Sequence, residues 1–234
     1  MLKAPAYIKT SGVIGTALTY EWAPHKGTEL IEKVPKNIAD TVLQMSLRAN
    51  FVLAIAVAEW IMWRLDSATV YPQLALYVDA LWARTVDKSY LKVNSLDTPK
   101  DASDPRTGPL IEMEDALYTA FRKSTQNHPE RGMAAGGLVS LTRYTLPSTE
   151  GFDDWLRRTL ARFFEHCRLD PESRAGGLVP RAFLDPDVEI QPALIPALLD
   201  EQLSQIEWAG NPFLATPDEM RAGGFNGTPY RYLQ

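Results

Sequence analysis

A chain of 234 residues with 45% hydrophobic side chains and one cysteine can build a self-sufficient core but cannot close an intramolecular disulfide. That excludes a small disulfide-stapled fold, predicts one domain rather than two, and favours a reducing, cytoplasmic setting. The net charge of -5 is uneven: residues 1–117 carry 12 basic and 14 acidic side chains, 118–184 carry 10 and 7, and 185–234 carry 2 and 8. This contrast is too mild to imply a nucleic-acid or membrane partner.

The opening segment, MLKAPAYIKTSGVIG, has no apolar run of signal-peptide length. Within residues 1–24, Ile14, Leu18, Tyr20 and Trp22 alternate with smaller or polar residues, and Ser11-Gly12 offers a turn, so a short β-hairpin is expected. Pro35 then suits a first helical position. Ile38, Val42, Met45, Ala49 and Val52 follow at spacings of three and four, the start of one long helix over about 36–66. From Phe51 to Trp63 the residues are apolar on every side, as in a helix surrounded by neighbours. This run is shorter than the ~20 apolar residues a membrane span needs, and it contains Glu59.

A second helix follows Tyr71-Pro72, with Leu74, Val78, Leu81 and Trp82 on one stripe. A third follows Gly108-Pro109, with Leu110, Met113, Leu117 and Phe121. Between them, residues 94–109 hold three prolines and no periodicity, the pattern of an exposed, mobile loop. A fourth helix is expected near 130–144, weakened by Gly132, Gly136 and Gly137 and divisible into two pieces. A fifth, over 152–169, carries Phe152, Trp155, Leu156, Leu160, Phe163 and Cys167 on its buried stripe, and a sixth spans about 193–208. Ala-Gly-Gly-Leu-Val occurs at 135–139 and at 175–179, and Ala222-Gly223-Gly224-Phe225 resembles it; each glycine pair is expected to end a helix in a left-handed cap, the alternative being a degenerate helical repeat. Thr216-Pro217-Asp218-Glu219 signals a capping box. The fold class is therefore mainly α: an irregular multi-helix bundle around a central apolar helix, with a C-terminal arm over 211–234.

No phosphate-loop, dinucleotide, zinc-hydrolase, nucleophile-elbow or paired-cysteine motif occurs. His166 and Cys167 are neighbours on a helix, about 100° apart, and cannot form a dyad with each other. His25, His128 and His166 lack metal-ligand spacing, so neither a metal nor a cofactor is expected. Glu59 is a candidate buried acid, because an unpaired carboxylate in apolar surroundings costs several kcal/mol; an arginine from another helix is its expected partner, the alternative being a pKa-shifted acid in a cleft. Arg157, Arg158 and Arg162 give the fifth helix a basic face that suits phosphates, with Asp153 and Asp154 placed to neutralise Arg157 and Arg158 along the helix.

Arg122, followed six residues later by His128, resembles the arginine and histidine signature of HEPN-type ribonucleases. That resemblance implies a histidine and an arginine acting on the RNA 2′-hydroxyl and phosphate, usually in a dimer; Lys123 and Pro129 depart from the family's pattern. The arm offers Phe225, Tyr230, Arg231 and Tyr232 either to its own domain or to a partner. Taken together, the residues favour a non-catalytic factor that binds another protein, such as an immunity or accessory subunit of a bacterial system. The alternative is an RNA-acting nuclease or nucleic-acid-binding subunit using Arg122, His128 and the arginine face of 152–169.

Overall fold

The computed structural model describes residues 2–92, 96–99, 101–124 and 132–232. Its described residues form eleven α-helices and no β-sheet, a mainly α, irregular multi-helix bundle. In chain order the helices are α1 (Ala6–Thr10), α2 (Pro24–Glu32), α3 (Lys36–Val42), α4 (Leu47–Arg64), α5 (Ser67–Val70) and α6 (Pro72–Val86), followed by α7 (Thr107–Ser124), α8 (Met133–Thr145), α9 (Glu150–His166), α10 (Ile195–Ser204) and α11 (Pro217–Ala222).

The centre of the bundle is α4. Every residue from Ala49 to Met62 is buried, as its all-round apolar sequence predicts, and α6, α7 and α8 lie against it. The buried apolar side chains form one contiguous cluster that reaches from Leu2 to Met220. None of the described helices is long and apolar enough to cross a membrane.

The expected helix over 36–66 is two helices, α3 and α4, parted at residues 43–46. Two local devices stabilise the break. Ser46 caps α4, its Oγ accepting the Ala49 N–H at 3.3 Å, and Asn50 Nδ2 donates to the carbonyls of Val42, Met45 and Ser46. The freed backbone groups find partners in the chain leaving α9: Ser46 N–H donates to Cys167 O at 2.9 Å, and Leu169 N–H to Gln44 O at 2.7 Å.

The hairpin expected in the first 24 residues is absent. Residues 13–22 run over the helical body as irregular chain, because side chains take the groups that a second strand would have used. The Arg64 guanidinium donates to the carbonyls of Thr16 and Ala17, both at 2.6 Å, and Trp22 Nε1 donates to Ala102 O at 2.9 Å. Where the 94–109 segment is described it is irregular up to Arg106, with Thr98 bonded to Glu114, while Thr107 to Pro109 already belong to α7.

The glycine pairs have three different roles rather than one. Gly136 and Gly137 lie inside α8, which is a single helix, and they admit α2: a Cβ on Gly137 would stand 2.3 Å from the Ile31 carbonyl oxygen. Gly176 takes a positive φ of 72° in the loop after α9, against Ser46. Only the third pair is a helix cap. Phe225 N–H returns to Met220 O and Gly224 N–H to Arg221 O, with Gly224 at φ 86°, a Schellman ending to a helix that starts with the expected Thr216/Glu219 capping box.

Candidate functional site

The long connection after α9 returns to the core through a short 3-10 turn, Arg181–Leu184. From that turn Arg181 grips the fully buried Glu59: its Nε donates to Oε2 at 3.2 Å and its Nη2 to Oε1. Nη2 also donates to Lys3 O at 2.9 Å. Burial raises the Glu59 pKa, and the arginine beside it works in the opposite direction. Burial also pulls on Arg181, but the Glu59 carboxylate outweighs it and holds the guanidinium above its ordinary value. An arginine partner is thus present, supplied by the 3-10 turn and not by one of the α-helices, and both carboxylate oxygens are engaged.

The remaining sequence-predicted residues are dispersed. In α9, Arg157 pairs with Asp154 at 2.6 Å, Asp153 pairs with Arg143 at 2.8 Å, and Arg158 pairs with Asp187 on the following connection. The expected four-residue pairings within the helix are therefore replaced by a three-residue pair and two tertiary ones. Arg162 points no guanidinium outward for phosphate. It donates to the carbonyls of Phe183 at 3.0 Å, Asp185 at 2.7 Å and Val188, and so clamps that connection onto α9. Arg122 lies in the last turn of α7, over the Tyr118 ring, and His128 is outside the described residues. Cys167 sits just past the end of α9, where burial pushes its thiol up to about 11. Among the described residues no three His, Cys, Asp or Glu side chains are grouped to hold a metal ion.

The C-terminal arm folds back on its own chain. Tyr230 stacks on Trp208 at 3.7 Å between ring centroids and donates its hydroxyl to Ala215 O at 2.7 Å; Phe225 meets Tyr90 edge-on at 5.6 Å. Arg231 pairs with Asp200 at 3.2 Å, and Tyr232 stays exposed with its N–H on the same carboxylate.

The sequence announced neither of two surface features. One is a cleft of about 640 Å³ between the start of α4, the end of α6, the 175–179 loop and Gly224–Asn226, lined by Arg48, Arg84, Lys88, Phe51 and Phe225. The other is on the outer side of α10, where Val188, Leu198 and Glu201, with Asp185 and Arg181, line a shallow hollow of about 200 Å³. Leu194, one turn before Leu198, is 48% exposed and Val188 is 38% exposed. Their only sequence signals were an arginine placed in an apolar stripe at Arg84 and an acidic C-terminal composition.

The chain matches no protein-family model, no curated protein and no solved structure.

Proposed function

We propose that the protein is a non-catalytic binding factor that docks another protein on the outer side of α10. The observation that carries this reading is the coincidence there of exposed apolar side chains with acidic ones. Val188 and Leu198 line the hollow with Asp185 and Glu201, and the more exposed Leu194 stands one turn before Leu198, in a segment with 8 acidic and 2 basic residues. Asp218 pairs with Arg221, Asp200 with Arg231, Asp187 with Arg158 and Glu219 with Lys92, so the surplus of negative charge rests on Asp185, Glu189, Glu201 and Glu207. A partner segment with apolar anchors flanked by lysine or arginine is complementary to such a face. Phe225 and Tyr230 supply no contact in this arrangement; their place is to hold the arm, which leaves Tyr232 at the edge of the face beside Asp200. The lone cysteine and the lack of any possible intrachain disulfide fit an accessory or immunity-type factor of the cytoplasm.

Capture from native extract by the wild-type chain and by the Val188→Asp/Leu194→Asp variant tests the proposal. One partner should be retained in stoichiometric amount by the wild type, lost from the variant, and photo-cross-linked from position 194. Retention of the same proteins by both chains, or of none by the wild type, overturns it.

A further inference from the structure

The cleft beside Phe225 is independent of the α10 face, and its charge is of the opposite sign. Three cations line it, Arg48, Arg84 and Lys88, against one carboxylate, Asp87, in a chain that is acidic as a whole. Their partners differ in a way that matters. Arg48 donates one Nη1 bond to Gly176 O at 2.7 Å, and Asp87 accepts the Ser89 N–H at 2.7 Å. Arg84 has no acceptor and no carboxylate among the described residues. Its guanidinium lies over two neighbouring rings instead, 4.5 Å from the Phe121 ring centroid and 5.1 Å from that of Phe51. Ring contacts offset part of the cost of desolvating a cation, but they satisfy none of its five N–H donors. Burial, with the neighbouring Arg48 charge adding to it, lowers the Arg84 pKa, so the site gains from an incoming anion.

From this geometry we infer that the cleft is a binding site for a small phosphomonoester with a flat apolar body. A phosphate monoester carries roughly -1.5 to -2 at neutral pH, which matches the excess of cations lining the cleft, and a guanidinium fork meets phosphate oxygens in pairs. The volume lies within the range of small-molecule sites, about 300–1,000 Å³, and leaves room for far more than a phosphate group. An apolar side is supplied by Phe51 and Val52 from α4, Val179 from the loop, and Phe225, whose position the Schellman ending of α11 fixes, while Thr85, Ser89 and Asn226 add uncharged polar groups to the lining. The arm is therefore a wall of this site.

Calorimetric titration with 2-naphthyl phosphate, 2-naphthoate and inorganic phosphate is the test. The naphthyl phosphate should bind saturably at micromolar to low-millimolar concentration, about tenfold or more tighter than either of the other two. Arg84→Gln and, separately, the surface change Arg48→Ala should each weaken it about tenfold. Asp87→Asn, which keeps the cap for Ser89 and removes the opposing charge, should strengthen it severalfold. Circular dichroism confirms that each variant is folded; if Arg84→Gln is not, Arg48→Ala and Asp87→Asn decide. No saturable binding of naphthyl phosphate up to 10 mM, equal binding of naphthoate, or folded variants indistinguishable from wild type overturns the assignment.

Discussion

Arg181 reaches across 122 positions of sequence to hold the carboxylate of Glu59 in the middle of α4, and the pair is one-sided: Glu59 is 0% exposed and Arg181 12%. Deleting the arginine alone leaves a buried charge without compensation. Arg181→Ala should cost about 3–5 kcal/mol in urea unfolding at neutral pH. Glu59→Gln/Arg181→Met, which removes both charges, should cost clearly less. Equal losses would mean that the pair acts through packing and not through charge.

The same pair makes a pH prediction. Burial raises the Glu59 pKa and Arg181 opposes that rise, so Arg181→Ala lets it climb further. A carboxylate with a raised native pKa binds its proton more tightly when folded. Its contribution is intact below the unfolded value, about 4.3, and is lost as pH rises through the native value. The deficit of Arg181→Ala relative to wild type should therefore shrink when unfolding is measured near pH 5 instead of pH 8. A deficit unchanged with pH would place the titration of Glu59 elsewhere.

What the sequence revealed and what it hid divide along one physical line. The all-round burial of α4, the stripes of α6, α7 and α9, and the Thr216/Glu219 box are properties of neighbours in sequence, and periodicity reports them. The break at 43–46 depends on backbone of Cys167 and Leu169, more than a hundred residues away, although Ser46 as a helix cap was a local clue. The hairpin failed for the same reason: alternation at Leu18, Tyr20 and Trp22 records that these side chains pack, while Arg64 and Ala102 decide what the backbone and indole bond to. Glu59 was legible as a residue in need of a cation, but its partner's identity was not. The cleft was hidden because its walls come from four separate parts of the chain.

Gly137 and Gly151 are both helical, and alanine should act oppositely at them. At Gly137 a Cβ would collide with the Ile31 backbone at 2.3 Å, and no side-chain rotation relieves a backbone clash. Gly137→Ala should destabilise by about 2 kcal/mol or more, through the α2 and α8 contact. At Gly151 the nearest atom is Ser11 Cβ at 3.5 Å, ordinary contact, so Gly151→Ala should be neutral or stabilising by up to ~1 kcal/mol. Thermal unfolding of the two variants side by side measures both.

Arg162 and Arg157 lie on the same helix and differ in what they hold. Three carbonyls of the 183–188 connection converge on Arg162, whereas Arg157 makes one exposed pair with Asp154. Arg162→Ala should cost about 2 kcal/mol and expose the connection to limited proteolysis. Arg157→Ala should leave the unfolding midpoint where it was, as exposed pairs contribute little. Equal effects would refute the clamp.

Cys167 reports on the joint between α3 and α4, because its carbonyl accepts the Ser46 N–H and its own N–H donates to Phe163 O at 2.8 Å. Burial pushes the thiol up to about 11, so at pH 8 only roughly one molecule in a thousand carries the reactive thiolate. An unfolded chain, with an ordinary thiol near 8.5, would carry it in roughly a quarter of molecules. Reaction with a colorimetric disulfide reagent at pH 8 should thus be slower by two orders of magnitude or more in the folded protein, and should recover its full rate as urea unfolds it. Ser46→Pro deletes the amide that holds the Cys167 carbonyl, so it should speed the reaction before global unfolding begins. Labelling of the native wild type at the unfolded rate would show that the 167–169 segment does not lie against 44–46, and with it would go the physical reason for the break in the central helix.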